Sequence, residues 1–263
     1  DYYRVKIMGN TVARGESNRT PSKAKAVGFP VPNGTVSYWQ ARYRTSPLFS
    51  RGRDVPLPQD ADVVIVGSGI TGAVAAYNLV SSRPDLRVVM LEAREVCSGA
   101  TGRNGGHMRP DMFVGFEDYS KLVGQEQAHK VLQNELDTLA YTQEIIEKEG
   151  IDCDLWLGET CDVFMNQKVK DQSRSSYDAY KAYGKLDEDK VTWVEDPLEA
   201  QSISRVKHCF GLAKWPAASF YPLKFVHGLL QKCEERGLRI FSHTLVESFS
   251  RADGGWTLET PRG

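Results

Sequence analysis

The 263-residue chain carries 33 Lys and Arg against 34 Asp and Glu, a formal net charge of -1, which argues against a dedicated binder of nucleic acid or anionic membrane. With 41% hydrophobic and 25% charged residues it reads as a globular chain able to bury a core. No run approaches the roughly 20 apolar residues of a membrane helix, and Cys97, Cys153, Cys161, Cys209 and Cys233 are too few and too scattered for a disulfide scaffold. None of them, alone or with His208, has zinc-ligand spacing, so no structural metal is expected.

Residues 1–59 are rich in Pro, Gly, Ser and basic side chains and read as an extended N-terminal strap anchored by Tyr38, Trp39 and Tyr43, rather than as an arm for an acidic partner. Asn18-Arg-Thr and Asn33-Gly-Thr fit the N-glycosylation pattern. With the start at Asp1 they lean toward a secreted, processed glycoprotein, the alternative being a cytoplasmic one. From Ala61 the run Ala-Asp-Val-Val-Ile-Val-Gly predicts a strand buried on both faces, Thr71–Ser82 a helix, and Arg87–Glu92 a second strand, together one βαβ unit. A single long helix is expected from about Tyr119 to Glu149, stopped by Gly150, with His129 facing water. Residues 151–221 read as short strands and turns around Trp156, Trp193 and Trp215. Pro222–Arg236 reads as a helix ended by Gly237, and Leu238–Phe241, Leu245–Ser250 and Trp256–Thr260 read as strands, the last two a hairpin.

The chemistry concentrates in Gly67-Ser68-Gly69-Ile70-Thr71-Gly72, placed between the first strand and its helix. Gly67 suits a tight turn, Gly69 a close approach of backbone to a pyrophosphate, and Gly72 close helix–strand packing, while the helix N-terminus attracts an anion. Glu92 lies 20 residues beyond Gly72 at the end of the second strand, where a carboxylate accepts from the hydroxyls of an adenosine ribose and repels a 2′-phosphate, which excludes NADP. The polar, glycine-rich loop from Ala93 to His107 is long enough to follow an elongated cofactor toward a tricyclic ring, favouring FAD over NAD.

Val-Val-Ile-Val-Gly-Ser-Gly-Ile-Thr-Gly, Leu-Glu-Ala-Arg and Ser-Gly-Ala-Thr-Gly-Arg-Asn-Gly-Gly-His resemble the D-amino-acid oxidase, glycine oxidase and sarcosine oxidase superfamily. Within it the chain is most similar to the gamma-glutamylputrescine oxidoreductase branch and its fungal relatives, which share a lead-in like Pro30–Trp39. The resemblance implies an α/β fold, a glutathione-reductase-like FAD-binding domain with part of an α+β substrate domain. It implies FAD-binding segments at 60–150 and 222–263 and a partial substrate domain at 151–221, with the remainder expected on a companion chain of the same precursor, the alternative being that the chain is a fragment. It places Gly67, Ser68, Gly69, Ile70, Thr71 and Gly72 at the pyrophosphate, Glu92 at the ribose, and Ala93, Arg94 and Val246 at the adenine. Ser98, Gly99, Ala100, Thr101, Arg103, Asn104, Gly105, Gly106 and His107 are implied to line the ribityl and isoalloxazine region.

The implied reaction is oxidation of a C–N bond in an amine or amino acid, with oxygen as acceptor and hydrogen peroxide as product. An NAD(P)H-dependent flavoprotein reductase or monooxygenase and a non-catalytic FAD-binding pseudoenzyme are the alternatives. No catalytic residue is assigned. His107 reads as a loop residue with a covalent or catalytic role as its alternative; the other histidines, Trp215 and Tyr221 read as structural.

Overall fold

The structure, a computed structural model, describes residues 28, 30, 31, 34–252 and 254–263. The sequon residues Asn18 and Asn33 and most of the first half of the expected strap lie outside the described residues. Within the described part, the strap is not extended throughout. A short helix, α1 (Tyr38–Arg42), forms there because Ser37 and Gln40 cap it reciprocally, and a series of turns carries the chain on to Asp54.

β1 (Val63–Val66), α2 (Ile70–Ser82) and β2 (Val88–Leu91) form the expected βαβ unit, with Val63 opposite Val88 in a parallel pair. A third strand, β7 (Arg239–Phe241), pairs parallel with the other edge of β2 and gives the order β1-β2-β7. Of these three strands only β2 is wholly buried. The apolar run of β1 predicts burial on both faces, but among the described residues β1 forms an edge of this sheet, and Val66 is 62% exposed.

The two-residue period of β2 separates two cores. Val88 and Met90 join the core of α2 and α7 (Pro222–Glu235), with Ala73, Ala76, Tyr77, Phe225, Leu229 and Leu230. Val89 and Leu91 join Phe241 in a second core, against Leu57, Val64, Val246 and Leu258. Pro222 sits in the first turn of α7 and Gly237 follows its end with φ +101°, as the sequence predicts.

The second sheet is antiparallel. Along its length β6 (Leu212–Ser219) pairs with β4 (Trp156–Val163), while β3 (His107–Met108) and β5 (Thr192–Val194) pair with opposite ends of β6. Phe113, Phe116, Leu132, Phe164, Tyr177, Tyr180 and Trp215 build a separate core against it.

Three further elements differ from the sequence reading. The long helix is two, α3 (Phe116–Val123) and α4 (Gln125–Glu149), because Gly124 between them has φ +82° and cannot continue a helix. His129 on α4 does not face water freely: it is half-buried and its Nδ1 lies 2.8 Å from the Tyr180 hydroxyl. The 151–221 stretch, whose composition reads as strands and turns, contains two helices, α5 (Gln167–Tyr183) and α6 (Pro197–Ser204). The buried side of α5 is made of Ser173, Ser176, Tyr177 and Tyr180, so it shows no aliphatic stripe.

Near the end of the chain β8 (Ser248–Ala252) and β9 (Gly255–Glu259) form the expected hairpin, but β8 begins at Ser248 rather than Leu245. Residues 243 and 244 instead extend the pairing beyond β2, with the His243 amide donating to the Arg94 carbonyl and the Thr244 amide to the Glu92 carbonyl. Val246 therefore lies in a connecting segment rather than in a strand. Among the described residues no helix is long and apolar enough to cross a membrane.

Candidate cofactor site

The turn from β1 into α2 carries the glycine motif, and each glycine there meets a different constraint. Gly67 has φ +98° with open space around it, so backbone conformation alone demands glycine. A Cβ on Gly69 would stand 3.2 Å from Thr101 Oγ1. On Gly72 it would stand 2.1 Å from the Gly67 carbonyl oxygen and 3.3 Å from the Ile65 side chain, which leaves no room for any side chain.

Helix α2 begins with Gly69 as its N-cap and no side-chain cap. The Ile70 amide donates to Thr101 Oγ1 at 3.0 Å, which ties the glycine-rich loop to the helix start. The remaining donors of the first turn and the positive end of the helix dipole make this an anion-binding end.

Glu92, 9% exposed, is fixed by three donors: the Ser68 amide (2.9 Å) and hydroxyl (2.6 Å) on Oε2, and the Arg94 amide (3.0 Å) on Oε1. A carboxylate has about four acceptor directions. Oε2 is filled and Oε1 retains room for a further donor, so the carboxylate both locks the motif turn and offers a free acceptor. Ser68 Oγ in turn accepts from the Cys97 amide at 2.8 Å. Cys97 holds φ +61° and is fully buried, and burial pushes its thiol far above the usual range.

From Ser98 the loop makes a 3₁₀ turn over Ala100–Arg103, then reaches β3 through Gly105 and Gly106. Gly106 has φ +75°, and a Cβ there would meet the Phe220 carbonyl oxygen at 2.4 Å. The Asn104 side chain accepts from the Gly106 amide at 2.7 Å and donates to the Thr101 carbonyl at 3.0 Å, bracing the turn.

Among the described residues, four buried polar atoms in or beside this path have no hydrogen-bond partner in the chain: Ser98 Oγ, Arg94 Nε, Ser242 Oγ and His243 Nε2. Ser98 is only 3% exposed. Ala93 and Arg94 lie just beyond Glu92, beside residues 242–244, and Val246 packs against Val89, Leu91 and Phe241. The expected site residues from Gly67 to His107 thus lie along one path from the β1–α2 turn, past the C-terminal end of β2, into the loop ending at His107, while Val246 packs in the core on the other side of β2.

A cleft of about 540 Å³ opens beside the far end of that loop, between Asn104–Pro110 and α4. His107 is exposed at its edge. Asn134, Glu135, Thr138 and Thr142 line its α4 wall, and no sequence motif selects them. Asn134, Thr138 and Thr142 recur every four residues, a polar stripe that marks this face once the helix is known. Both charged residues of the lining are already engaged: Arg109 with Asp162 and Thr160, and Glu135 with the Asp111 amide at 2.7 Å. Trp215 is fully buried with its indole N–H on the Pro110 carbonyl, a core residue as expected.

His227 sits on α7, completely buried. Its Nε2 faces the Val96 carbonyl (3.3 Å), which accepts only, so Nε2 carries the proton and Nδ1 accepts from the Ser46 hydroxyl (2.6 Å). Burial lowers its pKa to about 4 and keeps the ring neutral.

A strand-to-helix turn with an anion-binding end, a carboxylate after the second strand and a glycine-rich loop define a dinucleotide-binding flavoprotein fold. Residues 62–263 match the family described as FAD dependent oxidoreductase, and the chain belongs to that family, whose cofactor is FAD. A probable oxidoreductase OrdL of Haemophilus influenzae is 27% identical over 229 residues, covering 85% of this chain and 52% of that protein. Gamma-glutamylputrescine oxidoreductase of Escherichia coli is 31% identical over 123 residues, 47% of this chain and 28% of that protein. The solved L-amino acid deaminase from Proteus vulgaris shares the fold, with a TM-score of 0.63 at 21% identity over 82% of this chain and 47% of that one. The chain spans about half the length of the OrdL relatives it matches in Haemophilus influenzae and Rhizobium meliloti.

Proposed function

We propose that this chain holds FAD along the path just described and serves an oxidoreductase that oxidises a C–N bond of an amine or amino acid, with oxygen as acceptor. The observation that carries the placement of the cofactor is the Ser68–Glu92–Arg94 knot beside the uncapped start of α2: it supplies an anion site and a ribose acceptor within one rigid unit. In this reading Gly67 to Gly72 hold the pyrophosphate and the free direction of Glu92 Oε1 takes one ribose hydroxyl. Ala93, Arg94 and Val246 flank the adenine. Ser98 to Thr101 and Arg103 to His107 flank the ribityl chain and the ring. The unpartnered Ser98 Oγ fits this placement, since a buried hydroxyl without a partner is costly unless a ligand supplies one.

FAD, when bound, supplies the two-electron acceptor chemistry. The chain's own contribution is to fix the cofactor and to bound a cleft whose volume suits a small molecule. The substrate class is supported by the chain's likeness to gamma-glutamylputrescine oxidoreductase over part of its length.

The test is the visible spectrum of the native protein, taken before and after acid precipitation, followed by peroxide release across a panel of amines and amino acids. Two-banded flavin absorbance in the acid supernatant and peroxide with at least one amine are expected. Flavin retained in the pellet would reopen a covalent role for His107. Flavin reduction by NAD(P)H without any amine would overturn the oxidase reading.

A further inference from the structure

We propose that residues 35–51 are a template for the flavin-side loop, with Ser37, Trp39 and Gln40 as positioning residues that hold loop 98–104 in its cofactor-binding shape. The inference rests on the reading of that loop as part of the FAD site. Three loop carbonyls accept from this segment: Ser98 from Gln40 Nε2 (3.0 Å), Gly102 from Ser37 Oγ (2.5 Å) and Asn104 from the Trp39 indole N–H (2.6 Å). Arg103 closes the set, donating from Nε to the Ser98 carbonyl and from Nη1 to Thr35 Oγ1.

The same side chains also make α1. Ser37 Oγ accepts from the Gln40 amide while Gln40 Oε1 accepts from the Ser37 amide, a reciprocal capping box. Each capping side chain then gives a donor to the loop. A helix of five residues does not persist alone. Helix and loop therefore order each other, and the loop's glycines, which would otherwise leave it many shapes, are restricted by groups 58 to 65 positions away in sequence.

The template is itself anchored. Trp39 packs on Tyr221 with ring centroids 4.5 Å apart, the Tyr221 hydroxyl donates to the Trp39 carbonyl, and the Val96 amide donates to the Phe49 carbonyl. The segment thus bears on the loop's start, its middle and its approach to β3.

The experiment uses the full chain, stripped of FAD and retitrated by quenching of flavin fluorescence. Trp39→Phe, which keeps an aromatic ring but removes the N–H, should weaken FAD binding about fivefold, and Ser37→Ala/Trp39→Phe/Gln40→Leu about tenfold or more, with blurring of the bound flavin's visible band. Lys130→Met, outside the segment, breaks an exposed ion pair with Glu126 on α4 without touching the loop and should leave the Kd unchanged. Linkage requires the converse: FAD should slow hydrogen exchange at the Gln40, Ala41 and Tyr43 amides.

Equal Kd values for wild type and triple variant would overturn the template while leaving the FAD site intact. Failure of the wild type itself to bind FAD would overturn the site reading, and the template with it. If the triple variant does not fold, Trp39→Phe and the exchange measurement decide: an unchanged Kd together with unchanged exchange overturns the proposal.

Discussion

Glu92 locks the motif turn and is proposed to take a ribose hydroxyl as well, and replacing it by glutamine should separate the two roles. The carboxylate receives three donors on two oxygens, and the amide offers only one oxygen. If that oxygen stays with Ser68, the new NH₂ group faces the Arg94 amide, donor against donor. If it turns to Arg94, the Ser68 amide loses its acceptor, and the Ser68 hydroxyl must reorient while still accepting from Cys97. Either arrangement forfeits a charge-assisted hydrogen bond, worth about 1.5–3 kcal/mol, and strands a donor beside a residue that is only 9% exposed, at about 1–3 kcal/mol. Allowing for partial relaxation, we expect Glu92→Gln to destabilise the FAD-free protein by about 2–4 kcal/mol. Urea unfolding at pH 7, with an unchanged m-value, measures this directly. A loss smaller than about 0.5 kcal/mol, the usual scatter of a neutral surface change, would refute the claim that the carboxylate proposed to take the ribose is also the knot of the turn.

Gly72→Ala should abolish FAD binding and destabilise the protein by about 3 kcal/mol or more, because its Cβ meets a backbone oxygen that cannot move without opening the turn; circular dichroism melts and FAD titration check it. His227 stays neutral in the fold down to about pH 4, whereas the unfolded chain takes up its proton below about pH 6.5. The native state therefore loses about 3 kcal/mol of stability as pH falls from about 6.5 to about 4, and His227→Gln should flatten that part of the stability curve relative to wild type. Of the five thiols only Cys161 is exposed, so a single thiol should react quickly with a thiol reagent under native conditions and the full set in denaturant. Thr138→Val, on the α4 wall of the cleft, should change KM for an amine substrate while leaving the FAD Kd unaltered.

The parts of this molecule that can be read from sequence are those whose physics is local. A glycine needed for a turn, a strand bounded by glycine, and a carboxylate a fixed distance on are all set within about 30 residues, which is why the β1–α2–β2 unit follows from the chain itself. Helix α5 escapes such a reading because periodicity detects a greasy stripe, and Ser173, Ser176, Tyr177 and Tyr180 bury a helix face without one. Gly124 is equally visible as a residue, but a lone glycine in a helical pattern is often tolerated, and only its φ of +82° decides. The bonds from Ser37, Trp39 and Gln40 to the loop are out of reach for a different reason. They join side-chain donors to backbone carbonyls, and every residue has a carbonyl, so nothing in the identity of Ser98, Gly102 or Asn104 announces the partner. A glycine-rich loop that follows a cofactor has few side chains with which to hold its own shape. Its order must be supplied from outside, and the place to look for that supply is a donor-rich segment whose short helix cannot stand alone, which is what residues 35–51 are.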